Sequence, residues 1–513
     1  MKKFLISSSP WETRIAITRD GLLQNVYFDS GTSERLERSY FKGVVTKVIP
    51  GIQTAFVDIG KERSGFLHIS EIDRELAVRR MAGMSDDEEE IEEDEATKQV
   101  PLKRDFDVTK IFREGEPVLV QVSKEPIYEK GAKLTTCFTL PGRFVVLMPN
   151  IPRIGISKKI ESQEEHHRLR DLVRANLPEG CGAIIRTTAE NRTDREMLQD
   201  LQYLVAEWRE IESKFKAAAV HEKLHEDIDL SLQVIRDNLD DDVEDIICDT
   251  REMESRIYKF VKQSAPEHLH KIKLYQETVP LFERFSIDMQ IEQALQSKVQ
   301  LKCGGSIIIE TTEAMTVIDV NTSKFTGGRG SSLEDTIFKT NMEAAEEIVR
   351  QLRLRNFGGL IVIDFIDMSN NSNKQKLFRY FEKALRERDK FQSVVLRLSE
   401  FGLVQMTRKR SGKTLIQQLT TNCPACGGMG FVKSVQQESY VILRKVRDML
   451  ASKGVTGKNI TLAVHRQVSD YLINLEYNAI LGLEKTFGCK ITLAVDDTTQ
   501  RLNVYAISGG TTK

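Results

Sequence analysis

Polar and apolar positions change their period several times along the chain, and each change marks a different kind of element. Over 11–29 the text WETRIAITRDGLLQNVYFD sets two short apolar runs on either side of Asp20-Gly21, the pattern of a β-hairpin. From Phe41 to Ile72, FKGVVTKVIPGIQTAFVDIGKERSGFLHISEI predicts four short strands divided by turn residues, which suits a small barrel. Strand text resumes in PVLVQV (117–122), FVVLMPN (144–150) and GAII (182–185). Between about 190 and 285 the period turns helical, as in MLQDLQYLVAEWREIESKF. From 300 to 400 strands and helices alternate. SIIIE, MTVIDV, LIVIDFI and VVLRLSE read as strands; Leu333, Ile337, Ala344, Ala345, Ile348 and Leu352 mark one helix face, and Leu377, Phe378, Phe381 and Leu385 another. Beyond about 435, one helix (ESYVILRKVRDML) and the apolar strands ITLAV and LNVYAI predict a small α+β unit.

A chain of 513 residues exceeds one ordinary core, so several domains are expected. No apolar run reaches the length of a membrane span, and the start MKKFLISSSP lacks the apolar stretch of a secretory signal. A cytoplasmic protein is the expectation. Seven cysteines, odd in number and scattered, do not form a disulfide framework. The net charge of −2 conceals an asymmetry: DDEEEIEEDE at 86–95 carries nine negative charges, and without it the remainder has an excess of seven positive ones. So dense a run repels itself and reads first as a solvated insert; the alternative is a mimic of RNA that shields a basic groove. The basic remainder is compatible with a polyanionic partner.

Asp319 ends MTVIDV and Asp364 sits late in LIVIDFI, with a helix between them long enough for a crossover. In α/β sheets ligands gather beyond the carboxyl ends of strands. If these strands are near neighbours, the two carboxylates converge there, and two carboxylates plus a phosphate and waters are what Mg²⁺ takes. Asn321, two residues beyond Asp319, shares its face and has an amide for a phosphate oxygen; Asp367 is a supporting acid nearby. The competing role for such aspartates is to cap the following loop or helix.

Cys423-Pro-Ala-Cys426, followed by Gly427-Gly428, has the spacing to place two thiolates on one metal ion. Structural zinc takes four ligands, so the pair fills half a site, and a symmetric copy of the chain would supply the rest. Redox chemistry is disfavoured because no thioredoxin-like context is apparent, and two unligated thiols in a tight turn remain the plain alternative. Phe56, Phe66 and His68 recur in the expected barrel, near Lys42 and Lys47; exposed aromatics beside cations stack single-stranded bases, although a core fate is commoner for any one Phe. Arg186-Thr187 would suit a terminal phosphate, or be an ordinary strand end. Arg408, Lys409, Arg410 and Lys413 either line a path for RNA phosphates or form a solvated basic loop.

The segments EAMTVIDVNT, QLRLRNFGGLIVIDFIDM, FGLVQMTRKR and CPACGGMG resemble the ribonuclease E/G family, and the resemblance extends over most of the chain. With no long C-terminal tail, it lies nearest the ribonuclease G branch. It implies a magnesium-dependent endoribonuclease that cuts single-stranded RNA in rRNA and tRNA processing and mRNA decay, leaves a 5′-phosphate and prefers 5′-monophosphorylated substrates. Asp319 and Asp364 fall on the family's metal aspartates, Asn321 on its phosphate-contacting Asn, and Phe56 and Phe66 on the phenylalanines of an S1 domain. Arg186, Thr187, Gly142 and Val146 fall on a 5′-end sensor, in which one family member's Arg is Gln392 here. Cys423 and Cys426 fall on a zinc link between protomers, implying a homodimer, with a homotetramer open through the final unit. The implied fold is multidomain α/β and α+β. An RNase H-like unit (1–34 with 232–295) carries an inserted S1-type OB barrel (35–136, with the acidic insert). A sensor region (137–231), a DNase I-like metal-site subdomain (296–418), a zinc link (419–434) and a small C-terminal oligomerisation domain (435–513) follow. The competing functional classes are a noncatalytic RNA-binding protein and a 3′-exonuclease.

Overall fold

The computed structural model describes residues 1–31, 35–73, 107–126, 131–157, 160, 162–322, 333–389, 391–396, 399, 402–410, 412–453, 459–497 and 501–509. The acidic segment 86–95 lies outside the described residues. The chain divides into two compact units, Met1–Arg410 and Ser411–Lys513.

In the first unit the expected hairpin joins Glu12–Arg19 to Leu22–Ser30, with Asp20 and Gly21 both at positive φ (52° and 79°), as a two-residue hairpin turn requires. It belongs to a five-stranded sheet in the order Ile272–Leu274, Val243–Cys248, Lys2–Ser8, Glu12–Arg19, Leu22–Ser30. The strand Val243–Cys248 runs through text that the helical period had claimed. VEDIIC buries Val243 and every residue from Asp245 to Cys248, so it alternates too little to announce a strand.

Tyr40–Ile49, Thr54–Asp58, Gly65–His68, Lys133–Thr135 and Pro117–Lys124 close into a barrel, because Tyr40–Ile49 also pairs with Pro117–Lys124. Between Phe41 and Ile72 there are three strands and two 3-10 turns rather than four strands. Val45, Ala55, Val57, Leu67, Val120 and Leu134 fill the barrel. A third sheet places Val145–Met148 between Gly182–Ile185 and Leu140–Pro141, backed by helix Asp194–Ala217, whose capping box at Thr193 and Glu196 fixes its start.

The fourth sheet has the order Lys298–Gln300, Ser306–Thr311, Met315–Asn321, Gly359–Asp364, Leu403–Arg408, Ser393–Val395. Its two central strands are parallel, joined through helix Leu333–Leu354. One face buries Ile318, Val320, Ile361, Ile363, Val404 and Met406, on the side that carries the buried Ala344, Ile348, Leu352, Leu377 and Phe381 of the two helices. The opposite face is open: Val317 and Leu360 are 37% and 40% exposed. Leu333, expected on the buried helix face, is 78% exposed at the first helical position.

The second unit holds a three-stranded sheet, Lys490–Val495, Asn459–Val464, Tyr505–Gly509. The pentapeptide ITLAV occurs twice, at 460–464 and 491–495, and the two copies pair in parallel with Ile460 beside Ile491. Among its described residues the unit has three helices of nine residues or more (Val435–Lys453, Arg466–Asn474, Tyr477–Phe487) where the sequence pattern gave one.

Candidate active site

The register of the central parallel pair sets Asp319 directly beside Asp364. Both project on the open face, because side chains on a strand alternate and the intervening Ile318 and Ile363 point into the core. Asp319 is half-buried and Asp364 exposed. The Asn321 amide donates to Asp319 Oδ2 at 2.6 Å. Partial burial, then the charges of Asp319 and Asp367, raise the Asp364 carboxyl above the usual range. Two carboxylates that repel each other, with one amide on their flank, make a donor set a hard cation would relieve. Among the described residues no group of three or more His, Cys, Asp or Glu gathers as a metal cage.

The segment after Asp364 is held from behind. Asn341, fully buried on the crossover helix, donates its amide to Ile366 O at 2.8 Å and accepts from Ile366 N–H at 3.1 Å. Glu334 accepts from the N–H groups of Ser369 and Asn370. Arg408 does not face a nucleic-acid path. It is buried, forks onto Asp389 at 2.6 and 2.9 Å, and also donates to Phe357 O. Arg410 lies against Gly358 and Gly359, and both it and Lys409 are exposed.

On the barrel, Phe56 and Phe66 face each other across neighbouring strands, with Lys47 opposite Phe56 and Lys133 beside Phe66. Both rings are half-exposed while Ala55, Val57 and Leu67 take the core, so these phenylalanines lie outside the core. His68 caps the following 3-10 turn, its Nδ1 accepting from Ser70 N–H. Lys42 has a different task from the one expected. Its ammonium donates to Phe215 O at 2.9 Å and Ala218 O at 2.8 Å, neutralising the C-terminal end of helix Asp194–Ala217.

Arg186 follows strand Gly182–Ile185, and its Nη1 donates to Gly142 O (2.7 Å) and Asp237 Oδ1 (2.8 Å). The Thr187 hydroxyl lies 3.0 Å from that of Ser157, and the Thr188 hydroxyl donates to Arg143 O at 2.6 Å. The turn at Gly142 is fixed by Asp200, whose carboxylate accepts from the N–H groups of Arg143, Phe144 and Val145 at 2.9–3.1 Å. A side chain at 142 would put its Cβ 2.6 Å from that carboxylate, so glycine is required there by close approach. Val146 is half-buried in the strand that follows. Arg186, Thr187 and Asp237 line a cavity of about 1970 Å³.

Cys423 is exposed and Cys426 half-buried, within turns closed by Gly427 N–H to Cys423 O at 2.8 Å. Gly430 N–H donates to Cys426 Sγ at 3.4 Å, and backbone N–H groups of Gly430 and Gly428 hold this thiol below its usual range. The pair lies nine residues before helix Val435–Lys453 rather than at its N-terminus.

Family models match residues 139–411 to the ribonuclease E/G family, 39–126 to the S1 RNA binding domain, and 422–508 to the RNase E/G thioredoxin-like domain. Ribonuclease G of Escherichia coli K12 is 38% identical over 444 residues, 86% of this chain and 87% of that protein. Ribonuclease G of Haemophilus influenzae is 36% identical over 479 residues, 93% of each. Ribonuclease E of the same species is 35% identical over 514 residues, 99% of this chain and 52% of that protein.

The chain belongs to the ribonuclease E/G family.

As a family member it is an endoribonuclease with an N-terminal S1 RNA-binding barrel. The thioredoxin-like match corrects the premise that no such context surrounds the cysteines. Their position in turns well before the helix still separates them from a helix-start redox pair. Among the described residues no helix is long and apolar enough to cross a membrane. Sequence patterning missed Asp200, Asp237 and Asn341. Asp200 and Asn341 interrupt apolar helical stripes (Met197–Leu201–Leu204 and Ile337–Ala344–Ile348), and a polar residue on such a stripe is the signal that could have found them.

Proposed function

We propose that this endoribonuclease hydrolyses single-stranded RNA with Mg²⁺ held by Asp319 and Asp364, and that it prefers RNA with a 5′-monophosphate. The observation that carries the reading is the lateral pairing of Asp319 with Asp364 at the carboxyl ends of two parallel strands, with Asn321 bonded to the first. Mg²⁺ bound there lowers the pKa of an attacking water and neutralises charge on the phosphoryl group. Asp319 and Asp364 would hold it on the open face of the sheet. The Asn321 amide, aimed at Asp319, orients that carboxylate and turns toward a nonbridging phosphate oxygen when substrate arrives. As the family resemblance implies, hydrolysis leaves the phosphate on the 5′ end of the downstream product. The Lys47–Phe56–Phe66–Lys133 ladder stacks bases and pairs with phosphates.

Arg186 and Thr187 receive the terminal phosphate, with Gly142 and Val146 forming the adjoining wall. Cys423 and Cys426 supply half a zinc site, completed by the same pair of a second chain, so the working form is a homodimer, or a homotetramer if the final unit adds an interface. On this reading 1–34 with 232–295 is an RNase H-like unit, 35–136 the S1 barrel, 137–231 the sensor region, 296–418 a DNase I-like catalytic subdomain, 419–434 the zinc link and 435–513 an oligomerisation domain. The enzyme serves rRNA and tRNA processing and mRNA decay in the cytoplasm.

One RNA, prepared with either a 5′-monophosphate or a 5′-hydroxyl and with or without Mg²⁺, tests these points together. Cleavage should need the metal and run several-fold faster on the monophosphate. Equal cleavage in EDTA rejects the metal site, and equal rates on the two ends reject the sensor.

A further inference from the structure

Arg186 is not offered to a ligand as an isolated cation. Its Nη1 is shared by Gly142 O and Asp237 Oδ1, and Asp237 in turn accepts from Arg236 Nε at 3.1 Å. Arg236 reaches on to Asp227 Oδ1 (3.3 Å) and Pro141 O (3.0 Å), so a chain of alternating charges runs beneath the Pro141–Gly142 turn. Asp237 is 29% exposed at its side chain and lines the same cavity as Arg186 and Thr187. Burial pushes this carboxyl up, but Arg186 and Arg236 outweigh it and hold it below its usual range, so it is ionised at neutral pH.

Resting on the 5′-end reading above, we propose that Asp237 is the specificity-determining residue of that site. It aims Arg186, and its fixed negative charge makes the pocket accept one terminal phosphate and reject a chain of three. A monophosphate takes Arg186 and the Thr187 hydroxyl and meets one carboxylate. Each further phosphate adds negative charge beside Asp237, on a wall that continues through Asp240 and Asp242, where Lys2 is bonded to both aspartates and Arg19 to Asp242. The fixed charge of Asp237, bonded to Arg186, repels each added phosphate at close range.

The test uses the full chain and one RNA bearing a 5′-hydroxyl, a 5′-monophosphate or a 5′-triphosphate, with kcat/KM for each normalised to the hydroxyl form. Asp237→Asn keeps an oxygen for Arg186 and removes the charge. It should lower the monophosphate-over-triphosphate ratio about fivefold at low salt, with the difference shrinking as salt is raised. Asp237→Glu restores the charge and should restore most of the ratio. An unchanged ratio in Asp237→Asn overturns the proposal. So does a loss confined to the monophosphate, because that is the mark of a residue that only orients Arg186. Arg186→Gln separates the two levels. If it leaves the monophosphate advantage over the hydroxyl form intact, the 5′-end reading itself fails. If it abolishes that advantage while Asp237→Asn leaves the ratio alone, only the role of Asp237 falls.

Discussion

At the aspartate pair, two carboxylates stand on an open sheet face, and one side-chain hydrogen bond, from Asn321, ties the group together. At the Pro141–Val145 turn, by contrast, Pro141 O, Gly142 O and Arg143 O each accept from a side chain, and Asp200 collects three backbone N–H groups. The difference fits the roles proposed for the two places. A metal and a phosphodiester bring strong charge and their own geometry, so a correct strand register is sufficient and unspent coordination is useful. A terminal phosphate recognised by hydrogen bonds needs donors already aimed, since every rotor frozen on binding costs affinity. On the proposed reading the chemical site is left incomplete and the recognition site is over-determined.

The largest effect that could break this contrast comes from the aspartates. Asp319→Asn or Asp364→Asn should lower kcat by roughly 10³-fold, while the unfolding midpoint stays level or rises, because a repelling charge has been removed. A large fall in the midpoint would show that the pair is structural after all. Gly142→Ala should do the opposite. With its Cβ 2.6 and 2.8 Å from the two Asp200 oxygens, and Asp200 held by three N–H groups, the turn must shift. A cost of about 1–3 kcal/mol is expected by urea unfolding, with cleavage of 5′-hydroxyl RNA retained. A fully stable variant would mean that the turn is looser than its bonds suggest.

The smallest effect sharpens the comparison through Glu207, beside the Tyr40–Phe138–Trp208 cluster that joins barrel strand Tyr40–Ile49 to helix Asp194–Ala217. Burial, then Asp227, raises its carboxyl to about 7 against the pull of Arg236. Its folded value lies above its unfolded one, so the folded state binds the extra proton. The contribution is therefore present at acid pH and lost as pH rises from about 4.5 to about 7. Glu207→Gln should flatten that slope and add on the order of 1 kcal/mol at pH 8. An unaltered profile of stability against pH would remove Glu207 from the balance.

Sequence by itself determined the local things. Asp20-Gly21 specified its hairpin turn, alternation in MTVIDV and LIVIDFI sent Asp319 and Asp364 to the side opposite the core, and turn residues divided the barrel strands, because each depends on neighbours within a few positions. Tertiary structure decided the rest. Strand order brought Asp319 beside Asp364, and barrel pairing set Phe56 against Phe66. Folding also diverted Lys42 to a helix end and Arg408 to Asp389, although both looked available in the sequence. Asp200 met the 141–145 turn, and Asp237 met Arg186, only when the two helices that carry them packed there. A side chain's partner on another element is fixed by packing and charge in three dimensions, and periodicity carries no record of it.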